Sequence, residues 1–150
     1  MWKSPEDDGL ERYLLNLFSR SVLPVSKVRE RLAARGADPE RTEELIESFS
    51  EAGYLDDRAY ALLYADSHPD WGRRRIRDEL RRRAVEEAFI QDALESVDEE
   101  ARASALASDW ARHDIEERKI VGRLLRRGFA FTLSKKIAKR ACEWRDSTVK

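Results

Sequence analysis

One segment recurs three times in this chain, and internal recurrence constrains architecture more tightly than any local propensity. Val28-Arg-Glu-Arg-Leu32-Ala-Ala-Arg35-Gly36 aligns with Ile76-Arg-Asp-Glu-Leu80-Arg-Arg-Arg83-Ala84 and with Ile120-Val-Gly-Arg-Leu124-Leu-Arg-Arg127-Gly128. In each copy a β-branched residue is followed four positions later by Leu, then by Arg, then by a small residue. The same offsets bring Arg41, Phe89 and Leu133 into register, as well as Leu45, Ala93 and Ile137, and Ile46, Leu94 and Ala138. Upstream, each copy carries an apolar stripe at helical spacing: Tyr13, Leu14, Leu17 and Phe18, then Tyr60, Leu63 and Tyr64, then Leu106 and Trp110. Apolar positions at i, i+3 and i+4 make each unit a helix, a short loop, a second helix, a tight turn and a third helix.

The pattern therefore predicts an all-α fold of three tandem three-helix repeats, at about 10–54, 55–98 and 99–145, within a domain over 10–150 that follows a flexible tail at 1–9. A single unit of this size is marginal alone, so stacking is expected to give an elongated, curved body whose concave side can grip a large partner. Local signals agree. Gly36 can close a helix in the left-handed conformation, after which Asp38 can cap the next helix, Pro39 open it and Glu40 sit near its positive end. Gly128 can close its helix in the same way, whereas Ala84 lacks glycine's freedom and points to a different turn. Gly53 ends the first unit, and His68-Pro69-Asp70-Trp71-Gly72 reads as a loop within the second.

The residues give no support for catalysis. Cys142 is a lone cysteine, best read as an apolar filler, and His68 and His113 lie far from it and from each other, so no metal-ligand spacing exists. No glycine-rich phosphate loop occurs. Asp56 and Asp57 are adjacent, point in different directions, and suit a helix start better than a carboxylate pair. Neither a cofactor nor a metal is expected. The polar, acidic start and the lack of a long apolar run argue for a cytoplasmic protein without a membrane partner.

The formal charge of −1 conceals segregation. Residues 73–83 hold seven arginines against Asp78 and Glu79, and residues 118–140 hold nine Lys/Arg and no acid. Between them, residues 85–117 carry eleven acids against Arg102 and Arg112. Such patterning presents basic surfaces to DNA or to an acidic protein without a basic overall pI.

The run Gly53-Tyr-Leu55-Asp56-Asp57-Arg58-Ala59-Tyr60, followed by Trp71-Gly72-Arg-Arg-Arg-Ile76-Arg-Asp-Glu-Leu80, resembles the signature block of RecX proteins, and Leu124-Leu-Arg-Arg-Gly-Phe129 resembles that family's C-terminal Arg-Gly-Phe. The resemblance spans about residues 10–145, with Ala84 standing where the family has Gly. It implies a non-enzymatic monomer that lies in the helical groove of the RecA filament on single-stranded DNA. There it would modulate, with inhibition the expected sign, filament growth, ATP hydrolysis and strand exchange in DNA repair and the SOS response.

Partner contact, to RecA or to single- or double-stranded DNA, falls in this reading to Arg73, Arg74, Arg75, Arg77, Arg81 and Arg82 in the second repeat. In the third it falls to Arg123, Arg126, Arg127, Lys135, Lys136 and Lys139. Arg74, Arg77 and Arg81 share a helical stripe opposite Ile76 and Leu80. The plainer readings stay open: a solvated arginine face with local ion pairs, or a third-repeat face that pairs with the acidic 85–117 segment. Phe49, Phe89, Trp110 and Ile137 read as packing residues, and Trp71, beside a loop glycine, as either a helix-start support or a contact. Two alternatives remain at this point, a helix-turn-helix-like module that enters a nucleic-acid groove and a helical adaptor for another acidic protein.

Overall fold

The computed structural model describes residues 8–148, and the elements within them are all helical. Helices α1 (Leu10–Phe18), α2 (Val25–Ala34) and α3 (Pro39–Glu51) form the first repeat. The second comprises α4 (Asp57–Ser67), α5 (Arg73–Arg82) and α6 (Glu87–Glu95), and the third α7 (Glu99–Arg112), α8 (Glu117–Arg126) and α9 (Phe131–Thr148). Asp38, Asp56 and Asp98 each accept a hydrogen bond from the backbone N–H three residues on, which starts α3, α4 and α7 as aspartate caps do. Most of the tail expected over 1–9 lies outside the described residues. Asp8, inside them, forms an ion pair with Arg41 at 2.8 Å, and Gly9 caps α1.

Each repeat has its own core. The recurring pairs Val28/Leu32, Ile76/Leu80 and Ile120/Leu124 are all fully buried, as the threefold register requires. Around them close Leu14, Leu45 and Phe49 in the first repeat, Ile90, Ala93 and Leu94 in the second, and Phe129, Ile137 and Ala138 in the third. Three separate cores in a row give the stacked, elongated arrangement. Two expectations need correction. The buried stripes of α4 and α7 are alanines, Ala61 and Ala65, then Ala103, Ala107 and Ala111, while Leu63 is exposed and Tyr60, Tyr64, Leu106 and Trp110 are only partly covered. Small residues let these helices approach closely, a signal that a search for large apolar side chains passes over.

Nor does Ala84 use a different turn. After each middle helix the chain makes the same closure, with N–H to C=O bonds from Ala37 to Leu32, Val85 to Leu80 and Phe129 to Leu124, a Schellman motif in all three copies. The left-handed residue is Gly36 (φ +85°), Ala84 (φ +56°) or Gly128 (φ +91°). Ala84 therefore takes a conformation that costs an L-residue about 1–2 kcal/mol, held because the repeat's core dictates the turn.

The middle helices meet end to end. Ser26 Oγ, at the start of α2, donates to the Arg83 carbonyl at the end of α5. The N–H groups of Gly72 and Arg74, at the start of α5, donate to the Arg127 and Gly128 carbonyls just past α8 at 2.8 and 3.2 Å. Positive helix ends thus face negative ones. At both joints the next repeat adds an acid from the first residue of its first helix: Asp57 Oδ1 accepts from Val25 N–H at 3.0 Å, and Glu99 Oε1 from Arg73 N–H at 3.1 Å.

Candidate functional site

The joint between the second and third repeats opens onto a cleft of about 480 Å³ lined by Asp70, Trp71, Arg75, Trp110, Arg123, Arg126 and Arg127. Four elements supply it. Trp71 and Asp70 stand on the loop before α5, where Trp71 stacks on His68 at 3.8 Å between ring centroids. Arg75, in the first turn of α5, lays its guanidinium 4.0 Å over the Trp71 ring. Opposite, Trp110 of α7 lies under Arg123 and Arg127 at 5.2 and 5.3 Å. Arg126 is exposed at the last turn of α8. Guanidinium groups over indoles are cation–π contacts, which hold the arginines in place while leaving N–H groups of Arg75 and Arg123 to bind.

Four arginines face a single carboxylate. Asp70 forms an ion pair with Arg127, and among the described residues no acid lies within ion-pair distance of Arg75, Arg123 or Arg126. The cleft's walls are fixed by the backbone crossing of Gly72 and Gly128, which leaves no room for a Cβ on either. Behind it Arg102 of α7, half-buried, donates to the carbonyls of Ala65, His68 and Trp71 at 3.1, 2.9 and 3.3 Å, tying the end of α4 and the Trp71 loop to the third repeat. Burial lowers the Arg102 pKa from its ordinary value, and Asp66 and Asp70 oppose that shift.

The other arginines of α5 go elsewhere. Arg73 closes the end of α6 through the Leu94 and Val97 carbonyls at 3.1 and 2.7 Å, and Arg74 reaches the Leu125 carbonyl at 2.7 Å. Arg81 pairs with Glu87 at 2.9 Å and Arg82 with Glu79 at 2.6 Å. Arg83 also binds Glu79 and lies over Tyr64, and its hydrogen bond is the main cause that holds the Glu79 carboxyl below the usual range. Arg77 is half-buried without an ion pair among the described residues. The stripe of Arg74, Arg77 and Arg81 is thus not one open face.

On α9, Lys135 lies over Phe131, Lys136 and Arg140 reach Glu100 at 3.9 and 3.3 Å, and Lys139 reaches Glu143 at 4.0 Å. Part of the basic third repeat therefore does pair with the acidic 85–117 segment. Of the twelve basic residues singled out in the sequence, the cleft gathers Arg75, Arg123, Arg126 and Arg127. Asp70, Trp110 and Arg102 complete the site without having been singled out for it. The signal for Arg102 was its isolation as a cation among acids.

Cys142 is buried, and burial raises its thiol pKa from the ordinary value. Among the described residues no His, Cys, Asp and Glu cluster could hold a metal, and no helix is long and apolar enough to cross a membrane.

Comparison with known proteins agrees with the repeat pattern. Residues 56–94 match the family model described as RecX, second three-helix domain. The chain is 29% identical over 141 residues to the regulatory protein RecX of Thermobifida fusca, covering 86% of this chain and 76% of that one. It is 31% identical over 118 residues to the regulatory protein RecX of Thermus thermophilus, covering 78% and 81%. The crystal structure of RecX from Lactobacillus salivarius superposes with a TM-score of 0.76 at 20% identity, over 89% of this chain and 97% of that one. The crystal structure of another regulatory protein RecX gives 0.73 at 21%, over 93% and 81%.

Proposed function

Because this chain belongs to the RecX family of regulatory proteins, we propose that it binds RecA filaments formed on single-stranded DNA and restrains their ATP hydrolysis and strand exchange. It does so by occupying a surface and not by chemistry. The observation that carries this reading is the arginine-lined cleft at a joint of a rod-like repeat body. A rod lies along a filament groove and touches successive subunits, while a cluster of guanidinium forks supplies charge-assisted contacts to carboxylates or phosphates.

The test is the ATPase and strand-exchange activity of RecA on single-stranded DNA with substoichiometric amounts of this protein added. Suppression well below one copy per recombinase subunit supports the reading, and unchanged rates at every ratio refute it. Equal binding to filaments and to bare duplex would favour the helix-turn-helix alternative.

A further inference from the structure

We propose that the cleft between the second and third repeats is a phosphodiester site for single-stranded nucleic acid, and that Asp70 is its built-in competitor, occupying Arg127 until a phosphate displaces it. The inference deepens the function proposed above by naming the ligand of the cleft, but its test needs no recombinase.

Among the described residues that line the cleft, Asp70 is the one carboxylate beside four arginines. Its side chain is 46% exposed and that of Arg127 is 35% exposed, so the pair sits at the mouth of the cleft where solvent and ligand can reach both. A phosphodiester has the same single negative charge and the same number of free acceptor oxygens as a carboxylate, so it accepts the same guanidinium donors. Arg75, Arg123 and Arg126, without an acid in ion-pair reach among the described residues, add contacts that Asp70 alone cannot satisfy. A partly exposed ion pair contributes little in itself, so its exchange for a multiply bound phosphate is favourable.

Two features favour single-stranded nucleic acid over a duplex or an acidic protein. A cleft of about 480 Å³ is on the scale of one or two nucleotides, whose bases can enter it only when unpaired. The guanidinium-over-indole contacts, Arg75 at 4.0 Å from Trp71 and Arg123 at 5.2 Å from Trp110, bring together the arginine and aromatic side chains on which unstacked bases pack, a combination that carboxylates do not need.

The experiment is fluorescence anisotropy of a labelled 20-nucleotide oligo-dT titrated with the full chain across a salt series. Asp70→Asn should tighten binding about threefold to fivefold. Asp78→Asn, an equal charge change on an exposed acid of α5 outside the cleft, should change it less than twofold. Arg126→Ala should weaken binding and reduce the log–log salt slope by about one.

Equal effects of Asp70→Asn and Asp78→Asn would remove the competitor, and weaker binding by Asp70→Asn would make Asp70 a positioning residue instead. An Arg126→Ala protein that binds and titrates like the parent would remove the site. Competition by poly-glutamate as effective as that by unlabelled oligo-dT would overturn the nucleic-acid assignment, and equal affinity for a 20-base-pair duplex would overturn the single-strand assignment. Melting curves matching the parent's show that each variant is folded, and failure of the recombinase assay alone would leave these results standing.

Discussion

Gly72 and Gly128 cross backbone on backbone: a Cβ on Gly72 would lie 2.6 Å from the Phe129 nitrogen, and one on Gly128 2.5 Å from the Arg75 Cβ. Gly36 occupies the same left-handed turn position after α2, at neither joint, with nothing within 4 Å of where its Cβ would be. Gly36→Ala therefore carries only the conformational cost, about 1–2 kcal/mol. Gly128→Ala carries that plus the overlap, and should exceed it by about 1–3 kcal/mol. Urea unfolding of the two full-length variants measures the difference. Equal losses would mean that the joint is loosely packed.

The third member of that set runs the other way. Ala84 holds φ +56° in the turn that Gly36 and Gly128 make freely. Ala84→Gly should raise stability by about 1 kcal/mol, since relief of the left-handed strain exceeds the added chain entropy. A lower denaturation midpoint would contradict this.

Arg102→Met keeps the apolar stem and removes the donor that serves three carbonyls of the second repeat. Partly buried acceptors left without partners should cost about 2–3 kcal/mol. Arg102→Lys should recover part of this, and Arg112→Met, on the exposed side of the same helix, should stay within about 0.5 kcal/mol of the parent. Chemical denaturation with all three variants checks the order.

Burial raises the Asp57 carboxyl pKa, while its bond from Val25 N–H works in the opposite direction. A raised native pKa means that the folded chain holds the proton at a pH where the unfolded chain has released it. Stability from this group therefore falls as pH rises through the window just above the ordinary aspartate value. Asparagine keeps an acceptor for Val25 without a charge to desolvate. Asp57→Asn should flatten that slope and be at least as stable as the parent at neutral pH, which thermal melts from pH 4 to 7 would read out. A parallel pH profile for parent and variant would refute it.

The filament-directed effect should track the cleft and not the basic helix beyond it. Arg123→Ala and Arg126→Ala should each weaken the restraint of RecA by about tenfold, the loss of one charge-assisted contact. Lys139→Ala, which removes a side chain already at 4.0 Å from Glu143, should leave it unchanged. Dose-response curves of strand exchange compare the three, and a Lys139 effect as large as that of Arg126 would move the contact surface to α9.

The fold was legible because its evidence is periodic. Val28, Ile76 and Ile120 recur with their leucines, and each sits at zero exposure. The alanine stripes of α4 and α7 were less legible, because small buried residues carry little hydrophobic signal. The site was legible as charge and in Trp71, which the sequence marks as a helix-start support or a contact and which lines the cleft. Arg73 and Arg126 look alike in sequence, yet one closes α6 through carbonyls and the other stands exposed in a cleft. That difference arises from which helix end meets which. It depends on the joints, and no local pattern encodes them.

The two joints are not equally strong. Val25 and Ser26 hold the first repeat to the second through one bond each, whereas Gly72, Arg73, Arg74, Arg102 and Arg127 all tie the second to the third. That difference predicts that under thermal agitation the leading segment, α1 to α3, should loosen before the second and third repeats part. A molecule built so could seat its stiff half first and let the loose arm find its grip afterward, and amide protons of the front segment would exchange soonest.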